Sequence, residues 1–133
     1  MISRAGEAQM YLVVGVIDMD NLKNINDVHG HPAGDQALRD VASVLTNSVQ
    51  PDWLAARIGG DEFIVVFPSD VTDPGGTLSL IQTAVVEQCP GNSVSVGGVV
   101  WGIDGETFDD CYRTADVRLY DDKRARKVNQ SGQ

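Results

Sequence analysis

Four carboxylates stand in two close pairs. Asp18 and Asp20 follow the apolar run Tyr11–Ile17, and Asp61 and Glu62 follow Gly59-Gly60. Carboxylates drawn together repel, and each resists ionisation unless a cation joins them. Hard divalent cations take oxygen ligands, and Mg²⁺ favours one or two carboxylates completed by water and substrate phosphates. Spacing alone leaves two readings open: one shared site for Mg²⁺ (or Mn²⁺), or two unrelated acidic turns.

Asn21, Leu22 and Lys23 come directly after the first pair and open a helical turn, where unpaired backbone N–H groups can meet phosphate. Lys23 adds a positive charge. Asn26 offers a donor and an acceptor, and Asp35 a carboxylate. A guanine edge presents two adjacent donors that a carboxylate can accept together, so an Asn and an Asp reaching one base would select guanine. Asp35 is equally open to the plain role of an acid at a helix start.

These residues need elements to hold them. Tyr11–Ile17 reads as a central strand. A short helical turn over Asn21–Val28 is broken at His29-Gly30-His31-Pro32. From Ala33 to Pro51, Leu38, Val41, Ala42, Leu45 and Val49 recur at helical spacing. Leu54–Ile58 and Phe63–Phe67 flank Gly59-Gly60 as a β-hairpin, because glycine reaches positive φ without a Cβ clash. After a loop over 68–76, a helix is expected at Thr77–Gln88. A strand at Ser93–Trp101, interrupted at Gly97-Gly98, follows. The last helix runs from Phe108 to about Arg124, capped by Thr107, with Phe108, Tyr112, Ala115 and Leu119 facing the core. With the first strand in the middle of the sheet, this order predicts an α/β sandwich on a split βαβ core.

The 133 residues fit one domain, and the 42% hydrophobic content fits a globular chain. A formal net charge of −9 argues against nucleic acid as a partner, and against direct membrane contact. No apolar run reaches membrane-spanning length. Cys89 and Cys111 lack metal-ligand spacing and read as two free thiols of a reducing cytoplasm. The His29-Gly30-His31 stretch suggests packing and hydrogen bonding rather than zinc, and Trp53 and Trp101 read as partly buried core aromatics.

Four ordered blocks resemble the GGDEF, or diguanylate cyclase, domain family: GGDEF at 59–63, VGVIDMDNLKNINDVHGHPAGDQALRDVA at 14–42, SVSVGGV at 93–99 and ADVRLYDDK at 115–123. The resemblance implies a palm-like nucleotidyl-cyclase fold of the α/β (α+β) class, a central mostly antiparallel sheet with a split βαβ core flanked by helices. It implies a domain at 11–128, a lead-in at 1–10 shorter than the family's, and a disordered tail at 129–133. The implied reaction condenses two GTP into cyclic di-GMP with release of pyrophosphate, in a two-fold homodimer.

Carried over by position, Asp18, Asp61 and the Met19 carbonyl match the metal ligands. Asp61, Glu62 and Lys23 match the catalytic positions, with Glu62 orienting the metal cluster or deprotonating the attacking 3′-hydroxyl. Asn21, Leu22 and Lys23 match the phosphate loop, and Asn26 and Asp35 the guanine contacts. Lys123 matches a triphosphate contact, and Lys127 stands where the family usually has Arg.

Three departures carry their own expectations. The family's D-x-L-T-G-L-x-N-R helix has no counterpart before the first strand, which implies a piece of a longer protein with an upstream sensory domain, or a catalytically silent GTP-binding or dimerising module. The R-x-x-D product-inhibition motif is replaced by Gln50-Pro51-Asp52-Trp53, which predicts no inhibitory cyclic di-GMP binding there. Asp122 stands beside Lys123, where it is expected to compete with phosphate for that lysine.

Overall fold

The computed structural model describes residues 10–70 and 75–131, with side chains described as far as Arg126. The elements run β1 (Tyr11–Met19), α1 (Leu22–His29), α2 (His31–Ser48), β2 (Leu54–Gly59), β3 (Glu62–Ser69), α3 (Gly75–Gln88), β4 (Val94–Val100) and α4 (Phe108–Ser131). The strands form one antiparallel sheet in the order β2-β3-β1-β4. β3 thus lies between β1 and β2, and β1 between β3 and β4, which is the split βαβ arrangement expected from the sequence.

The period of two in the strands sorts the core into two layers. Val13, Ile17, Met19, Phe63, Val65, Phe67 and Val94 pack with Leu38, Val41 and Leu45 of α2 and with Leu78, Ile81 and Val85 of α3. On the opposite face, Val14, Val16, Ile64 and Val99 meet Cys111, Ala115 and Leu119 of α4. The even-numbered β1 and β3 residues therefore face α4, and Asp18 and Glu62 follow that parity. Trp53 stacks on Phe67 with ring centroids 4.6 Å apart, a partly buried core aromatic as its position suggested.

Four local expectations change. α2 starts at His31 and takes Pro32 into its first turn, where proline's missing N–H has no helical partner to lose. β4 is not interrupted at Gly97-Gly98. Instead, Gly97 lets α4 approach the strand, because a Cβ there would stand 2.0 Å from the Ala115 carbonyl oxygen. α4 continues past Arg124 to Ser131. Its core stripe is Cys111, Ala115 and Leu119, while Phe108 is 46% exposed. Thr107 caps α4 as expected, its Oγ1 accepting from the Asp110 N–H at 3.1 Å.

β4 is an edge strand, and side chains cover its outward backbone groups. Gln82 Nε2 donates to the Val94 carbonyl at 3.0 Å, and Asp122 Oδ2 accepts from the Val96 N–H at 2.9 Å. Arg118 donates to the Gly98 carbonyl at 2.7 Å, and Asp104 accepts from the Val100 N–H at 2.8 Å. Such cover removes the template for unwanted strand pairing. Asp122, which also accepts from Gln82 Nε2 at 3.0 Å, is turned to this edge and away from competition for Lys123. No helix among the described residues is long and apolar enough to cross a membrane.

Candidate active site

The site forms where β1 ends beside the β2–β3 turn. Asp18 pairs across the sheet with Glu62, and the Met19 N–H donates to the Asp61 carbonyl at 3.2 Å. These backbone contacts bring Asp18, Met19, Asp61 and Glu62 to one sheet end. The turn is tied down by Arg57, whose Nε donates to the Gly60 carbonyl at 2.9 Å. Gly60 has φ +23°, within the range that favours glycine.

Asp18 is 18% exposed, and its Oδ1 is buried with no hydrogen-bond partner. Burial, above all, pushes its carboxyl up from 3.8 to about 7, against the pull of Lys123; Asp61 and Glu62 raise it further. An orphaned carboxylate oxygen crowded by like charge is a position that a cation would relieve. Among the described residues no three His, Cys, Asp or Glu side chains form a metal-holding group by themselves. The donor set is two carboxylates and the Met19 carbonyl, all hard oxygens, which fits an ion that completes its shell with water and phosphate.

Lys123 reaches this cluster from α4. Its Nζ donates to the Met19 carbonyl at 3.0 Å and lies 3.6 Å from Asp18 Oδ2 and 3.5 Å from Asp20 Oδ1. Asp20 is the hub of a network that positional reading left out. Ser95 Oγ and Ser93 Oγ donate to its two oxygens at 2.6 and 2.7 Å, and Arg126 Nε donates at 3.1 Å. Burial opposes the Asp20 charge, but the bonds from Ser95, Ser93 and Arg126, with Lys123 nearby, outweigh it and hold the carboxyl below its ordinary value. The S-x-S spacing of Ser93 and Ser95, which puts both on one face of a strand, was the available signal. Tyr112, expected in the core, turns its hydroxyl to Glu62 Oε1.

The N-terminus of α1 lies directly beyond β1. Asn21 is held at φ 61°, a left-handed conformation that a non-glycine residue enters at some cost, and it makes no side-chain capping bond. The first helical bond runs from the Ile25 N–H to the Asn21 carbonyl, which leaves the preceding N–H groups without helical partners. Leu22 packs against the core. Lys23 stands apart from the carboxylate cluster, 90% exposed and paired with Asp27 at 2.9 Å.

Asn26 and Asp35 lie on the paired helices α1 and α2. Asn26 Oδ1 is buried without a partner, beside Gly34, where a Cβ would come within 1.8 Å of it. Asp35 is exposed one residue further on. The Lys127 side chain lies outside the described residues.

An antiparallel β2-β3-β1-β4 sheet with helices packed on both faces is the α+β fold expected of a palm-like nucleotidyl-cyclase domain. The family model for the diguanylate cyclase GGDEF domain matches residues 1–129, and the chain belongs to that family. It is 32% identical over 131 residues to a probable diguanylate cyclase, DgcT, of Escherichia coli, covering 91% of this chain and 29% of that protein. Against diguanylate cyclase DgcP of Pseudomonas aeruginosa it is 33% identical over 121 residues, covering 86% of this chain and 18% of that one. The chain thus spans less than a third of either relative. Among solved structures, the GGDEF domain of DgcB from Caulobacter crescentus, in complex with c-di-GMP, superposes with a TM-score of 0.77 at 31% identity, over 87% of this chain and 74% of that one. Diguanylate cyclase SiaD of Pseudomonas aeruginosa, in complex with its activator SiaC, gives a TM-score of 0.77 at 30% identity, over 86% and 47%.

Proposed function

We propose that this domain is a diguanylate cyclase that joins two GTP molecules into cyclic di-GMP and releases pyrophosphate. The observation that carries the reading is the buried, unpartnered Asp18 Oδ1, crowded by Asp61 and Glu62 at the end of β1. Asp18, Asp61 and the Met19 carbonyl would hold Mg²⁺ or Mn²⁺. When bound, such an ion lowers the pKa of an attacking hydroxyl and stabilises the entering and leaving oxygens.

The chain's own groups supply the rest. The open N–H groups of Asn21, Leu22 and Lys23 bind phosphate oxygens. Lys23, on its exposed stem, acts as a mobile charge near the phosphates. Asn26 and Asp35 take the guanine edge, and the orphaned Asn26 oxygen is available to accept a base donor. Lys123 balances charge between the carboxylates and the triphosphate, joined by Lys127. Glu62 accepts the proton of the attacking 3′-hydroxyl.

One domain holds one GTP, while the product has two identical halves. Two copies meeting about a two-fold axis would turn a bimolecular encounter into a positioned attack. An upstream sensory domain in a longer parent protein would control this pairing. The two buried free thiols, Cys89 and Cys111, suit the cytoplasm.

The test is to incubate the chain at high concentration with GTP and Mg²⁺ and to look for a cyclic dinucleotide by mass, with Asp18→Asn as control. Cyclic di-GMP from the unsubstituted chain alone is expected. GTP bound and recovered unchanged would overturn the cyclase reading in favour of a regulatory nucleotide-binding module.

A further inference from the structure

We propose that Tyr112 is the positioning residue for Glu62, fixing which of its oxygens is presented to the site. Glu62 sits at the start of β3, opposite Asp18 and next to Asp61, so its carboxylate is repelled from the place where it is needed. A free glutamate in that setting would swing toward solvent. The Tyr112 hydroxyl donates to Glu62 Oε1 from the α4 side, while Oε2 accepts no hydrogen bond among the described contacts. One oxygen is anchored and the other is left as an acceptor.

The donor is itself held in place. Tyr112 lies one turn inside α4, packed against the Val14, Val16, Ile64 and Val99 layer. Its ring stacks with Phe108 at a centroid distance of 6.2 Å and an interplanar angle of 23°. Cys111 and Ala115, both fully buried, fix the helix on either side of it. A tyrosine in this place supplies a rigid stem with only two side-chain torsions and a polar tip that needs a partner when covered.

The same helix carries Lys123, which binds the Met19 carbonyl. α4 therefore grips both sides of the carboxylate cluster: Glu62 from its first turns, and the end of β1 from its later ones. A hydrogen bond to a charged acceptor is among the stronger kind, so its loss is felt where the carboxylate must hold one orientation.

The kinetic part of the test rests on the cyclase reading, and a second part does not. In the full chain labelled with ¹³C at tyrosine Cζ, three resonances are expected, from Tyr11, Tyr112 and Tyr120. The one lost in Tyr112→Phe belongs to Tyr112. Glu62→Gln should move that line and leave the other two in place. Turnover of GTP by Tyr112→Phe should show kcat reduced by about tenfold, with KM within about twofold and no loss of stability in urea beyond that of one hydrogen bond.

A Tyr112 line indifferent to Glu62→Gln would overturn the proposal. So would wild-type kcat in Tyr112→Phe, and so would a fall in kcat matched by a larger loss of stability and a raised KM, which marks a packing residue. If the unsubstituted chain makes no cyclic dinucleotide, the cyclase reading fails, and the resonance experiment alone decides whether Tyr112 holds Glu62.

Discussion

Replacing Asp18 by asparagine should make the metal-free protein more stable at pH 8 while destroying the site. The Asp18 carboxyl moves from 3.8 to about 7, chiefly through burial and then through Asp61 and Glu62, with Lys123 opposing. A carboxyl raised in the folded state binds more protons there than in the unfolded chain, so stability falls as pH climbs from about 4 to about 7 and then levels. At about 1.4 kcal/mol per pKa unit, the largest penalty for holding Asp18 ionised is about 4 kcal/mol. Asparagine has nearly the same shape and no charge. It also removes one partner of Lys123, which keeps the Met19 carbonyl and Asp20.

The expected gain at pH 8 is therefore about 1–4 kcal/mol, shrinking to somewhat under half of that at pH 5, where Asp18 is protonated in the folded protein while the unfolded carboxyl is still mostly ionised. Urea unfolding of both proteins in EDTA at the two pH values measures it. Equal effects at pH 5 and pH 8, or a loss of stability at pH 8, would refute the claim that like-charge crowding and burial strain this carboxylate. Adding Mg²⁺ at pH 8 should raise the unfolding midpoint of the natural sequence and leave that of Asp18→Asn unmoved.

Three further outcomes follow from the packing and the polar network. Asp20→Ala should cost about 2–4 kcal/mol at pH 7 in urea unfolding, because Ser93, Ser95, Lys123 and Arg126 lose a shared acceptor. The low pKa of Asp20 means that its contribution persists above the ordinary carboxylate range and fades as pH drops through the folded value. Gly97→Ala should lower stability by about 1–3 kcal/mol, since the added Cβ meets the α4 backbone and not a side chain that can turn away. Titration calorimetry with cyclic di-GMP should show no tight binding at residues 50–53. Tight binding abolished by Gln50→Ala would contradict the reading of that stretch.

Much of this architecture is legible along the chain, because its signals are local. An apolar run marked β1, helical spacing marked α2, α3 and α4, and Gly59-Gly60 between two β-rich runs marked the hairpin. The interruption expected at Gly97-Gly98 did not occur, for a non-local reason: Gly97 answers to the closeness of α4, a segment that no strand-scale pattern can see. Asp122 looked like a competitor for Lys123 while judged by adjacency, but successive helix positions point about 100° apart, and Asp122 meets the β4 edge instead.

The sequence by itself determined which chemistries were available: paired carboxylates, an uncapped turn with a following lysine, and an amide and an acid suited to guanine. Tertiary structure alone decided which of these groups meet. It set Glu62 opposite Asp18 by strand register, left Asp18 Oδ1 without a partner, and sent Lys123 to the Met19 carbonyl. It also gathered Ser93, Ser95 and Arg126 around Asp20 from distant parts of the chain. The physical reason is that side-chain type and backbone period are written residue by residue. Charge balance and hydrogen-bond satisfaction depend on neighbours that only folding supplies.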